Sequence, residues 1–126
     1  MKKSNLQFKD PHIEQIDFRI SSEQNPDDDM PINIEIKPQI NGNEANVKMI
    51  LKVGNIDQDN KVTTHFYFCG IISSDFIWNE NIKDPESMLK ISGGTVLLSY
   101  LRPILANLTM QAGLRPLNFP FINFTE

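Results

Sequence analysis

The sequence predicts an α+β fold: a four-stranded antiparallel sheet, built as a meander, followed by a short and a long helix packed on one face. Three observations predict it. Four stretches before residue 74 carry apolar side chains at alternate positions, the period that a strand with one covered face imposes. Links rich in Asn, Asp, Gly and Pro separate them, as turns require. After Gly93-Gly94 the period becomes helical, with Leu97, Leu101, Ile104, Leu105, Leu108 and Ala112 on one stripe.

Taken in order, residues 1–12 are polar, contain Pro11 and read as a flexible arm. The first strand holds Ile16, Phe18 and Ile20 on one face; Ile13 is out of phase, which predicts a bulge or a late start. Asp27-Asp28-Asp29 lies in a solvated loop. The second strand, Ile32 to Lys37, is fenced by Pro31 and Pro38, so it is short or lies at an edge. Asn41-Gly42-Asn43 is a turn, and the third strand, Ala45 to Ile56, aligns Ala45, Val47, Met49, Leu51 and Val53. The fourth strand, Lys61 to Ser73, sets Phe66 and Phe68 against Tyr67, Cys69 and Ile71, so both its faces need cover.

Asp84 and Pro85 are the N-cap and first-turn proline of a short helix ending near Ser92-Gly93-Gly94. The long helix starts near Thr95 and stops before Gly113, with a kink expected at Pro103.

Composition narrows the function. At 126 residues, 40% hydrophobic and 22% charged, the chain is one domain, 1–126. A net charge of −4 argues against a nucleic-acid partner, which selects basic surfaces. No apolar run reaches the ~20 residues that span a bilayer, and Met1-Lys2-Lys3 is followed by no apolar leader. A cytoplasmic location is expected. Cys69 is alone, so no internal disulfide forms.

Catalysis finds little support. His12 and His65 have no second ligand at metal spacing, and Cys69 has no adjoining basic residue to activate it. The aspartate run lacks the spaced pattern of a calcium loop, and Gly93-Gly94 lacks the lysine of a phosphate loop. The sequence therefore predicts neither enzyme nor metal nor cofactor. A hot-dog-like enzyme ranks last, because Thr95 to Gly113 contains no carboxylate.

The last third carries a resemblance. Tyr100, Arg102, Gly113, Leu117, Asn118, Ile122, Asn123 and Phe124, in that order and spacing, resemble the end of the SecB family of protein-export chaperones. Ile32, Ile34 and Ile36, and the segment Tyr67-Phe68-Cys69 with Ile71, extend the resemblance upstream. It implies an ATP-independent holdase for unfolded or partly folded polypeptides, self-associated as a dimer through edge strands or a dimer of dimers through long helices. It equally allows a dedicated interaction module with one partner, such as a toxin–antitoxin-associated chaperone. Typical members continue into a further helix and an acidic tail, whereas this sequence stops at Glu126, which leaves contact with the SecA motor in doubt.

Taken singly, Ile16, Phe18, Ile20 and Ile34 read as plain core. A sheet covered on one face nevertheless leaves apolar surface that needs a partner. The candidate client-binding residues are Phe18, Ile34, Phe66, Phe68, Tyr67 and Ile71; the candidate oligomer interface is Val96, Tyr100, Leu101 and Met110. The sequence leaves open which sheet face is core.

Overall fold

The computed structural model describes residues 6–79 and 82–114. The chain forms β1 (Leu6–Phe8), β2 (His12–Ile20), β3 (Ile32–Asn41), β4 (Glu44–Val53) and β5 (Phe66–Trp78). Helix α1 (Pro85–Met88), a π-helical turn (Leu89–Gly93) and helix α2 (Gly94–Gln111) follow. The predicted α+β architecture is present: an open antiparallel sheet with its helices on one face.

The core lies between that face and α2. Ala45, Val47, Met49, Leu51 and Val53 of β4 stand opposite Phe76, Ser74, Ile72, Gly70 and Phe68 of β5, all buried. Leu97, Leu98, Leu101 and Leu105 close it from above. Each such side chain contributes about 1.5–3 kcal/mol by leaving water. At Gly70 the missing side chain lets the helix settle: a methyl there would meet the Phe68 ring at 2.8 Å and Leu101 at 3.3 Å.

Strand order differs from the expected meander. The path is β1-β5-β4-β3, and β2 also pairs with β5, so five strands form the sheet rather than four. Strands β3, β4 and β5 do follow one another as a meander. The first long strand instead lies beside β5, because the link of residues 21–31 is long enough to cross the sheet end. A two-residue turn enforces neighbour pairing; eleven residues do not.

Leu6–Phe8, in the stretch read as an arm, pair with Trp78–Phe76. The phase break at Ile13 is a bulge around Glu14, since Ile13 pairs with Ile72 but Gln15 with Ile71. It returns Ile13 to the face of Ile16, Phe18 and Ile20.

Strand β3 runs through Pro38 to Asn41. An edge strand tolerates a missing donor on its free side. The β3–β4 loop is Gly42-Asn43, with Gly42 at φ 64°, the positive angle that a II′ hairpin needs at its first central position. Strand β4 ends at Val53 and β5 begins at Phe66, so 61–65 fall in the connection rather than in a strand.

Asp84 caps α1, accepting from the Ser87 amide at 3.2 Å. The expected break at Gly93-Gly94 is absent. Both glycines hold right-handed helical angles, and the helical backbone continues from Pro85 to Gln111. A methyl on Gly93 would lie 3.5 Å from Phe76 and Val47, so close seating on the sheet offsets the ~1 kcal/mol cost of a helical glycine. Helix α2 continues past Pro103 and ends in a Schellman motif, in which Leu114 N–H donates to Thr109 and Gly113 N–H to Met110.

Candidate functional site

One helix cannot cover this sheet. A helix is about 10–12 Å across, and four strand positions at about 4.8 Å extend further on both sides. Helix α1 and the π-helical turn lie against β3, and α2 against β5 and β4. The buried positions Leu89, Gly93, Leu97, Leu101, Leu105 and Thr109 recur every fourth residue. An α-helix repeats every 3.6, so the buried stripe winds slowly round the rod as it crosses the sheet.

Two apolar margins remain on the helix side. On the β1/β2 edge, Phe8, Ile13, Ile16 and Ile20 are 38–52% exposed, and Phe18 is half-buried. On the β3 edge, Ile32 and Ile40 are about 40% exposed, and Ile34 and Ile36 are half-buried. Their pairing partners, Phe66, Phe68, Gly70 and Ile72 on β5 and Ala45, Met49, Leu51 and Val53 on β4, face the core, so the margins continue the core outward. Along the outer surface of α2, Tyr100 is 42% and Met110 57% exposed.

The reverse face carries ion pairs among half-buried Ile50, Tyr67 and Ile71, with Ile77 40% exposed. Arg19 pairs with Asp17 at 3.1 Å, Lys48 with Glu14 at 3.3 Å and Lys37 with Glu35 at 3.6 Å. A hydrogen bond with Ser73, which outweighs the opposing burial, and then Lys48 beside it hold the Glu14 carboxyl below the usual range. Burial pushes the Tyr67 phenol up, aided by the neighbouring Cys69.

The predicted client residues are not brought onto one surface. Phe18 and Ile34 lie on opposite margins of the helix side; the Phe18 ring is 5.5 Å from that of Phe66. Phe66 and Phe68 belong to the core, beneath the helix, and offer no surface. Tyr67 and Ile71 sit on the reverse face, partly covered, beside Arg19 and Ile50.

Among the predicted interface residues, Leu101 is fully buried against the sheet, because it is the position of the helix that meets Gly70. Val96 is half-buried, and Tyr100 and Met110 point outward. The sequence reading missed Phe8, Ile13, Ile32 and Ile40 as exposed apolar positions. Their signal was alternation on strands that the topology places at the sheet edges. The motif residues Leu117, Asn118, Ile122, Asn123 and Phe124 lie outside the described residues.

The link of residues 21–31 joins the margins at one sheet end. Asp27 N–H donates to Thr63 at 2.9 Å, the Ser21 hydroxyl donates to Val62 at 3.0 Å, and the Pro31 carbonyl accepts from Gly54 N–H. Met30 packs against the core. Among the described residues no cluster of His, Cys, Asp and Glu is placed to hold a metal, and no helix is long and apolar enough to cross a membrane.

Comparison with known proteins gives a family match over nearly the whole chain. The model for SecB, the preprotein translocase subunit, matches residues 4–126. Among solved structures, the fold is similar to the Mycobacterium tuberculosis SecB-like chaperone Rv1957, in complex with a ChAD peptide from the HigA1 antitoxin. The TM-score is 0.64 at 13% identity, over 94% of this chain and 91% of that one. A Streptococcus agalactiae protein of unknown function is similar at TM-score 0.51 and 11% identity, over 92% and 97% of the two chains. No curated protein sequence matches.

Proposed function

Because this chain belongs to the SecB family, we propose that it is an ATP-independent holdase for unfolded polypeptides, acting in the cytoplasm. The observation that carries this reading is the pair of apolar margins flanking α2, which a native monomer has no internal use for. An extended, unfolded segment can cover such a margin, gaining about 25 cal/mol per Å² of apolar surface. A folded protein has hidden its own apolar side chains and gains nothing, so the unfolded population is bound selectively. Phe18 with Ile16 and Ile20, and Ile34 with Ile32, are the contacts in this reading. Val96, Tyr100 and Met110 serve helix-to-helix association, which places several margins within reach of one client.

A second reading is favoured by the antitoxin peptide on the Mycobacterium tuberculosis neighbour: the margins serve one dedicated partner. Client breadth separates the two. The holdase delays aggregation of several unrelated denatured proteins at stoichiometric concentration, and the dedicated module that of one. In either case Ile16→Asp with Ile20→Asp abolishes protection while the circular dichroism spectrum is kept, because both side chains are exposed and their loss leaves no cavity. Undiminished protection by the folded double variant rules the β2 margin out as the binding surface.

A further inference from the structure

The link between β2 and β3 has more chain than its path needs. It crosses about three strand spacings, ~14 Å, whereas eleven residues can reach about 36 Å. Slack of that size has to be pinned.

Its backbone attachments, Ser21 N–H to His65, Asp27 N–H to Thr63 and Gly54 N–H to Pro31, do not titrate. One side-chain attachment joins two ionisable groups. His65 Nε2 lies 2.7 Å from Asp28 Oδ1, tying the middle of the link to the connection between β4 and β5. Asp28 stands between Asp27 and Asp29, and the Asp27 carboxylate already accepts from the Asp29 amide. The other charged groups on these segments are Glu23 in the link and Asp57, Asp59 and Lys61 on the connection that carries His65; Arg19, near the end of β2, is engaged by Asp17.

We propose that His65 and Asp28 form a pH-sensitive latch that holds the 21–31 strap across the sheet end and so regulates the apolar margins. The regulatory half rests on the polypeptide-binding function proposed above. A protonated imidazole adds charge attraction to the hydrogen bond that a neutral one already donates to a carboxylate, and it also offsets the mutual repulsion of three successive aspartates.

Acidification therefore closes the strap. A closed strap seats Met30 against the core and occupies the sheet end between Ile20, the end of one margin, and Ile32, the start of the other. An open strap lets one extended chain reach both. Because the pair is exposed, the change is modest, about twofold to fivefold.

Hydrogen exchange of the Asp27 amide, expressed as protection so that intrinsic pH dependence divides out, reads the latch directly. Imidazoles as a class change charge between about pH 5 and 8. Between pH 8 and pH 5.5 the full chain gains about twofold to fivefold protection at Asp27, whereas His65→Gln and Asp28→Asn stay flat. A capped, uncharged peptide alternating phenylalanine and serine, labelled with a fluorophore, reads the regulation. It binds the full chain more weakly at pH 5.5 by the same factor, and binds both variants equally at the two pH values.

Equal pH dependence of protection in the full chain and both variants overturns the latch. Responsive protection with unchanged peptide affinity overturns the regulatory claim. A peptide bound at neither pH overturns it too, through the failure of the chaperone function, and the protection data identify that case.

Discussion

Glu14 shows how one residue can join three strands. The bulge in β2 carries its carboxylate over the reverse face, where the Ser73 hydroxyl on β5 and the Lys48 ammonium on β4 both favour the ionised form. The folded chain thus holds this group below the range of an unfolded glutamate. The stabilisation is fully present above the unfolded value and fades as pH falls through the lower folded value. The side chain is a third exposed, so solvent screening limits the effect to at most about 1 kcal/mol. Glu14→Gln lowers the urea midpoint at pH 7, and its deficit relative to the unaltered chain shrinks steadily through the acid range below pH 4.5. A deficit that persists unchanged at pH 2.5 assigns the effect to packing instead of charge.

Helix α2 presents two surfaces that answer differently to mutation. Leu101, fully buried over Gly70, has no room to relax, so Leu101→Ala costs about 2–5 kcal/mol through lost transfer energy and the cavity left behind. Tyr100, the preceding residue and 42% exposed, costs a monomer little when removed. If Tyr100 takes part in helix-to-helix association, Tyr100→Ala instead lowers the midpoint in a manner that depends on protein concentration. Denaturant titration at 1 and 50 μM separates these outcomes. The pair also shows what helical periodicity conveys. It identifies the stripe around Leu97, Leu101 and Leu105, yet Leu101 also reads as part of an outer interface, because a step of one residue, about 100° of phase, decides between core and surface.

For the whole molecule, the two faces of the sheet differ in kind. The reverse face places Asp17 against Arg19, Glu14 against Lys48 and Glu35 against Lys37, so its charge is locally balanced. The helix face leaves apolar side chains at both edges. If copies associate through Tyr100 and Met110, as proposed above, the contact is apolar and resists salt, since screening acts on charges and leaves apolar contact alone. Light scattering at micromolar concentration gives a mass that is a multiple of 14.4 kDa, unchanged from 0.1 to 1 M NaCl and reduced by Tyr100→Asp with Met110→Asp. Dissociation by salt alone assigns the contact to charge instead.

Local sequence determined whatever repeats along a single element. Alternation marked which side chains of β4 and β5 share a face, the phase slip at Ile13 marked the bulge, and Asp84 with Pro85 and Gly113 marked helix ends. Each is set by bond geometry within a few residues. Tertiary structure alone decided that β2 lies beside β5, that Gly93 and Gly94 stay helical, and that Phe66 and Phe68 are core while Ile16, Ile20 and Ile32 reach solvent. These outcomes depend on which strand takes the edge and how much of the sheet one helix can shade, and both are properties of the assembled layers.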